Sequence, residues 1–193
     1  MSISSLDETT AQPDYGAAYA ELRRTIIATG LLKRRYGYYV AHTSFCFGLL
    51  VVGIALPFFL PVSFGWSALA SIFIGFAMVQ VGLIGHDAGH LEIFRSTKKN
   101  WLLGQLCWSV LTGISFWYWN DRHNRHHGHT NDKGKDPDLQ GGGPFAVAFT
   151  EEEATARKGL KRVLVKYQVV FVLLGLMLYT FAFRAEGWLF AIW

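Results

Sequence analysis

The sequence predicts an all-α integral membrane protein, a helical bundle made of a transmembrane hairpin, interfacial helices and a third span. Of its 193 residues, 51% are hydrophobic and only 17% are charged. Ordinary soluble domains keep about a quarter of their residues charged. Three apolar stretches also approach the length of about 20 residues that a helix needs to cross a bilayer. The chain is therefore too apolar for an ordinary soluble domain.

The N-terminal segment, residues 1–37, is expected to be cytoplasmic and to carry one amphipathic helix. Residues 1–12 are polar and contain no apolar run, so a cleavable signal peptide is not expected. Residues 15–35 mix apolar positions with arginines and lysines, a pattern typical of a helix lying on a membrane surface. The membrane domain is expected to occupy residues 38–193.

The first two spans form the predicted hairpin. Residues 38–60 are almost uncharged, and Pro57 and Pro61 mark their far end. Residues 63–65 leave room only for a tight turn, so residues 66–85 must return to the starting side. Basic residues flank both ends of the hairpin on that side, which the positive-inside rule identifies as cytoplasmic.

Five histidines lie in two short clusters beside these apolar stretches: His86 and His90, then His123, His126 and His127. On a helix the first two lie about 40° apart, and the other three fit within roughly a 100° sector. Neutral imidazole is the commonest metal ligand and suits iron, zinc, copper and nickel. Because five ligands exceed what one tetrahedral zinc with an open position uses, the pattern predicts two metals or one site completed elsewhere.

The apolar stretch between the two clusters, residues 101–119, is expected to be interfacial or re-entrant. Its small and polar residues dilute its hydrophobicity, and its tryptophans suit headgroup depth. A crossing would place the two clusters on opposite sides of the membrane, which a shared metal site forbids.

The last third of the chain predicts a loop, a helix and a span. Residues 131–144 are rich in Gly, Asp and Pro, which indicates a cytoplasmic loop. Thr150 before three glutamates, at 151–153, gives a capping-box pattern for a cytoplasmic helix that leads to the membrane. Residues 167–190 form the third predicted span.

Charge and cysteine content argue against two other classes of protein. The net charge of +4 does not predict nucleic-acid binding, because the basic residues collect beside the spans and no nucleic-acid reading motif is present. Cys46 and Cys107 lie far apart, each within an apolar stretch. They are expected to be buried thiols and not a disulfide.

The clusters and their neighbours resemble the membrane fatty acid desaturases, which are integral membrane, oxygen-dependent enzymes with histidine-bound di-iron. The resemblance covers most of residues 38–139. Its specific pieces are GHDAGH at 85–90, WNDRHNRHHGHTND at 119–132 and DPD at 136–138. It implies that the five histidines, in boxes at 86–90 and 123–127, are iron ligands. The residues implied to support them or the surrounding loop are Asp87, Asn124, Asn131, Asp136 and Asp138.

Desaturases of this type carry a third histidine box, roughly QxxHH or HxxHH, after a second membrane hairpin. This sequence has no histidine after His129 and no fourth span. The di-iron site is therefore expected to be incomplete within this chain. The simplest expectation is the N-terminal portion of a longer enzyme, whether a fragment, a disrupted reading frame or half of a split protein.

The resemblance implies an oxidoreductase that uses O2 to introduce a double bond into an acyl chain carried by a membrane lipid or by coenzyme A. The boxes would lie on the cytoplasmic side. Because no histidine precedes His42 to bind a fused haem, a separate ferredoxin or cytochrome-type electron donor is implied, docking on basic residues such as Lys98, Lys99 or Lys133.

Two alternatives stay open. One is a lipid or carotenoid hydroxylase of the same superfamily. The other is a non-catalytic membrane protein that keeps the boxes as a relic or binds one metal for structure or transport. Outside the boxes, His42 is expected to be hydrogen-bonded inside the bundle and His129 to lie in a loop.

Overall fold

All regular elements of the described chain are helices. The structure, a computed structural model, describes residues 14–139 and 148–192. Within these ranges three helices are long and apolar enough to cross a membrane, which confirms the predicted all-α membrane class. The chain divides after Arg35 into two compact units. The polar start expected over residues 1–12 and positions 140–144 of the expected loop lie outside the described residues.

The first unit contains helix α1, Tyr15–Ala28. Its first turn is capped by Asp14, whose Oδ1 accepts the backbone N–H of Ala17 at 3.0 Å. The helix is shorter than the predicted amphipathic stretch. It ends before Gly30, whose φ of 75° takes the chain into a left-handed turn that glycine adopts without strain.

The second unit begins with the predicted hairpin, formed by α2, Tyr36–Phe59, and α3, Phe64–Gly89. The Ser63 hydroxyl caps α3 by accepting the Trp66 N–H at 3.3 Å. A Cβ on Gly53 would lie 3.1 Å from the Ile74 side chain, so the two helices approach closely at that point. Both helices begin two residues before the predicted spans. Because α3 also continues beyond residue 85, its last turn carries the first histidine cluster.

The core of the hairpin is apolar. It is formed by Cys46 and Leu50 of α2 and by Val81 and Ile84 of α3, with Cys107 from the next stretch of chain. Both cysteines are buried, free thiols, as predicted.

Residues 101–119, which were predicted not to cross the membrane, are divided among three elements. Helix α4, Thr97–Gly104, runs directly into a π-helix, Gln105–Leu111, and after a break α5, Phe116–Gly128, begins. None of the three is long enough to cross a bilayer, which needs about 20 residues. The indole N–H of Trp108 donates to the Gly82 carbonyl oxygen at 2.9 Å, so the π-helix lies against α3.

Three contacts between a glycine and an aromatic ring bring neighbouring elements close together: two bring the π-helix and α5 close to α3, and one brings α5 close to α4. A Cβ on Gly85 would lie 2.1 Å from Trp108, one on Gly89 would lie 2.8 Å from Trp119, and one on Gly104 would lie 2.3 Å from Phe116. The indoles of Trp108 and Trp119 are themselves stacked, with centroids 4.5 Å apart. Any side chain larger than hydrogen at these glycines would push the rings away.

The C-terminal part contains α6, Glu151–Ala156, α7, Leu160–Lys166, and α8, Gln168–Ile192. Thr150 caps α6 as predicted, because its hydroxyl accepts the Glu153 N–H at 3.3 Å. The single helix predicted to lead to the membrane is instead two short ones. The break includes Gly159, whose φ of 58° interrupts helical geometry. Helix α8 is the third predicted span.

The Gly85 contact leads to a first prediction. Gly85→Ala should destabilise the fold by about 1–3 kcal/mol, because the added methyl group overlaps the Trp108 ring. The matched control is Gly75→Ala in the same helix, where a Cβ would meet nothing within 4 Å. Thermal unfolding in one detergent should show a lower midpoint for Gly85→Ala only. Equal midpoints for the two variants would contradict this packing.

Candidate metal centre

Four of the five box histidines meet where the end of α3 faces α5. His86 lies in the last turn of α3 and His90 caps that helix, while His123 and His127 lie one turn apart on α5. The ring centroids of His86 and His123 are 5.0 Å apart, and those of His90 and His127 are 4.9 Å apart. The two clusters, separated by more than thirty residues in sequence, therefore share one site.

Two nitrogen–nitrogen distances in this cluster are compatible with ligands of one metal ion. Nε2 of His123 lies 3.1 Å from Nε2 of His90 and 3.1 Å from Nε2 of His127. An imidazole nitrogen carries either one hydrogen or one lone pair, so His123 can make a good hydrogen bond to only one of them. Two nitrogens each about 2.1 Å from one metal, at 90–109°, would lie roughly 3.0–3.4 Å apart. Ligand atoms of His86, His90 and His123 all lie within 4.8 Å of one another.

The surroundings of the half-buried rings of His90 and His123 favour their neutral form. Burial, with repulsion from a charged His127, His86 or His90, lowers the pKa of His123 to about 4. Burial and the neighbouring histidines also lower the pKa of His90. A metal binds imidazole through a lone pair that a proton would occupy, so these two rings are ready to bind at neutral pH.

The fifth histidine, His126, contacts two carboxylates. Its Nδ1 lies 2.9 Å from Oδ1 of Asp136 and 3.3 Å from Oδ2 of Asp138. Its ring centroid is 6.4 Å from that of His123. When Nδ1 donates to a carboxylate, Nε2 is the nitrogen left to bind a metal. The Nδ1 contacts of His126 therefore leave Nε2 as its available ligand atom.

Asp136 is placed to hold the His126 ring, and with His126 and Asp138 it also forms a group whose ligand atoms all lie within 4.8 Å of one another and could hold a metal ion. Its side chain is 1% exposed, and its two oxygens also accept the backbone N–H groups of Asn131 and Asp138, each at 2.9 Å. Burial opposes ionisation of Asp136, but the hydrogen bonds from His126 and the two N–H groups outweigh it and lower its pKa to about 2. The Asp136 hydrogen bond in turn raises the pKa of His126.

The other predicted supporting residues take different positions. Asp87 Oδ1 lies 3.4 Å from Nδ1 of His86, at the long end of hydrogen-bond range. Asn131 adopts a φ of 64°, which aims its N–H at Asp136. Asn124 lines a pocket together with Asn120 and His90. The functional roles of these residues stay predictions.

Several residues at the site were missed by the sequence reasoning. The Tyr39 hydroxyl of α2 donates to Asp87 Oδ2 at 3.1 Å, and Trp119 stacks on His123 with centroids 4.5 Å apart. Arg122 donates to the Pro137 carbonyl oxygen, and Tyr118 donates to Glu186 of α8. A signal for the last pair exists in the sequence, because an acidic residue inside an apolar span needs a partner.

The two histidines outside the boxes remain apart from the cluster. His42 was expected to be hydrogen-bonded inside the bundle; within the described residues its buried Nδ1 has no hydrogen-bond partner. His129 follows α5, and its backbone N–H donates to the His126 carbonyl oxygen at 3.1 Å.

A largely apolar cavity of about 500 Å³ adjoins the cluster, between α3, the π-helix and α8. His86 lies in its wall, and a smaller neighbouring cavity of about 280 Å³ has His123 in its wall. The two cavities share Trp108, Ile114, Trp119 and Thr180. An apolar space therefore ends at the candidate metal ligands.

Comparison with known proteins gives a consistent set of relatives. A family model described as fatty acid desaturase matches residues 63–193. The Delta(8)-fatty-acid desaturase of Euglena gracilis is 31% identical over 84% of this chain and 38% of its own length. The Delta 8-(E)-sphingolipid desaturase of Komagataella phaffii is 35% identical over 76% of this chain and 26% of its own. The chain thus spans about a quarter to two fifths of these relatives' length. No solved structure gives a significant match.

The cluster of four predicts a metal site that depends on His123. Purified chain in lipid nanodiscs should bind Fe(II) or Co(II), and His123→Ala should weaken binding by more than about tenfold because it removes the central ring. The metal affinity is measured by titration, with bound metal quantified by mass spectrometry. His129→Ala, a histidine outside the cluster, is the matched control. Equal affinity of the two variants would contradict the assignment.

The His126–Asp136 pair predicts a change in pKa. In metal-free protein, Asp136→Asn should lower the His126 pKa towards its ordinary value of 6.5, because the imidazolium loses its hydrogen-bonded carboxylate. Asp138→Asn should lower it less, since Asp136 makes the closer contact. Histidine NMR titration measures both. Asp121→Asn, on the same helix but paired with Arg125, should leave it unchanged. An unaltered pKa in Asp136→Asn would refute the pairing.

Proposed function

The chain belongs to the fatty acid desaturase family, and we propose that it forms the part of an acyl-chain desaturase that carries the first two histidine boxes. The observation that supports this most directly is the apolar cavity that reaches His86. An enzyme that oxidises an unactivated hydrocarbon chain needs a water-poor space that ends at its metal ligands.

The cavity follows one face of α3. Its wall on this helix is a stripe of residues three and four apart, which is the spacing of a single helical face. They are Gly75, Met78, Val79, Gly82, Leu83 and His86. From the first to the last the helix rises about 16 Å, which is long enough for a large part of an acyl chain. An acyl chain lying along this stripe would have one segment beside His86.

The five box histidines are suitable ligands for iron, because imidazole nitrogen binds this metal well and the rings lie close together. His86, His90 and His123 would hold one ion, and His127 and Nε2 of His126 would serve a second position completed by ligands beyond these five. Bound iron would supply the oxidising power, drawn from O2, that removing two hydrogens requires. The protein's own part is to orient the rings, keep their ligand nitrogens unprotonated and exclude water.

Aromatic residues supply much of that exclusion. The stacked indoles of Trp108 and Trp119 line both cavities beside His86 and His123. The His126 ring proton is held at Nδ1 by Asp136, which fixes the tautomer. These residues would keep the ligand set unchanged while an acyl chain enters and leaves.

We also propose that the boxes face the cytoplasm and that a separate ferredoxin or cytochrome-type donor docks there. The basic residues beside the hairpin support this orientation through the positive-inside rule. Lys98 and Lys99 are exposed at the start of α4. Lys133 suits docking less well, because its ammonium group lies 2.8 Å from Glu153. The acyl carrier would be a membrane lipid or coenzyme A; the named relatives act on fatty-acid and sphingolipid chains.

The test is a chimera in which this chain replaces the matching segment of the Euglena gracilis relative. Expressed in yeast, the chimera should introduce a double bond that requires O2, seen by mass spectrometry of fatty-acid derivatives. His123→Ala in the chimera should reduce product at least about a hundredfold, as expected for loss of a metal ligand. His129→Ala should retain most of it.

Product identity and iron content decide the outcome. A hydroxylated product would overturn desaturation in favour of hydroxylation. A chimera that accumulates in membranes, binds no iron and makes no product would overturn the metal assignment.

A further inference from the structure

One face of α5 carries three polar side chains at intervals of four residues, Tyr118, Arg122 and His126. This spacing places them in a row along the helix. The row begins beside the third span and ends at a candidate ligand. We infer that Arg122 is a positioning residue for His126, and that the third span holds Arg122 in place through Glu186 and Tyr118. The inference rests on the proposed role of His126 as a metal ligand.

Arg122 donates two hydrogen bonds to the segment, residues 136–138, that contacts the His126 ring. Its Nη2 donates to the Pro137 carbonyl oxygen at 2.8 Å, and its Nε donates to Asp138 Oδ1 at 3.1 Å. These two contacts lie immediately after Asp136 in the chain. The fork of a guanidinium group can make both at once, which an ammonium group cannot do with the same geometry.

The segment in turn fixes the imidazole. Asp136 and Asp138 both lie within 3.3 Å of Nδ1 of His126. Asp136 is buried, and its position depends on the backbone of residues 136–138. Releasing Arg122 would therefore loosen the carboxylates and let the His126 ring rotate or change tautomer.

The third span supplies the other end of the row. The Tyr118 hydroxyl lies near the Arg122 guanidinium group, one turn further along α5, and donates to Glu186 Oε2 at 2.5 Å. An acidic side chain within an apolar span is costly unless it is paired. A second anchor lies close by, where Arg184 Nη2 donates to the Thr112 carbonyl oxygen at 2.6 Å. The charged residues of α8 thus fasten this span to the elements around the candidate site.

The variants Arg122→Lys and Arg125→Lys form a matched pair for the test. Both keep the positive charge on α5. Arg125 pairs with Asp121 at 2.9 Å on another face of the helix. In metal-free protein at alkaline pH, where the ring is neutral, ¹⁵N NMR should show His126 protonated at Nδ1 in wild type and in Arg125→Lys. In Arg122→Lys it should show a mixture of tautomers.

A metal-binding readout accompanies the tautomer measurement. Co(II) should bind Arg122→Lys about tenfold more weakly than it binds wild type, and the visible spectrum of the bound Co(II) should change. Glu186→Ala should change the Co(II) affinity and the spectrum in the same direction. If Arg122→Lys matches Arg125→Lys in tautomer and in spectrum, the inference is overturned. If wild type binds no Co(II), the proposed function fails instead, and the tautomer measurement still decides the positioning role.

Discussion

The candidate site depends on how closely α5 and the π-helix approach the end of α3. Trp119 lies at the centre of this contact, stacked on Trp108 on one side and on His123 on the other. The approach is possible because Gly85 and Gly89 leave space for the two indoles. Without this close approach the two histidine clusters, which lie on different helices, would have no common centre. The aromatic packing and the ligand geometry are therefore one structural feature.

Both outer spans of the second unit contribute to the orientation of the histidines. On one side, α2 reaches the first cluster through Tyr39 and Asp87. On the other, α8 reaches His126 through Glu186 and the polar row on α5. Asp87 contacts Nδ1 of His86, and Tyr39 of α2 donates to Asp87. Asp136 contacts Nδ1 of His126, and Arg122 of α5 binds the segment that follows Asp136. This arrangement uses lipid-embedded helices to fix ligands that lie at their ends.

The sequence predicted the spans and the histidine spacing well, because both follow from local periodicity. It could not predict which member of the second cluster joins the first, since His126 and His127 both fit the same sector of α5. The structure separates them because Asp136, ten residues further along the chain, binds His126. Contacts of this kind, like those of Tyr39 and of the glycines with aromatic rings, join distant positions and leave no periodic signal. The interruption at Gly159 was missed because its neighbours are good helix formers.

The π-helix at residues 105–111 has a consequence for how the chain can vary in length. Each turn of a π-helix holds about one residue more than an α-helical turn, so such segments behave as an inserted residue within an α-helix. Removing one residue there would restore ordinary helical winding and rotate everything on one side of the deletion by about 100°. Trp108 and the break before α5 would then face different neighbours. A one-residue deletion in this stretch would therefore alter the register of the candidate metal ligands.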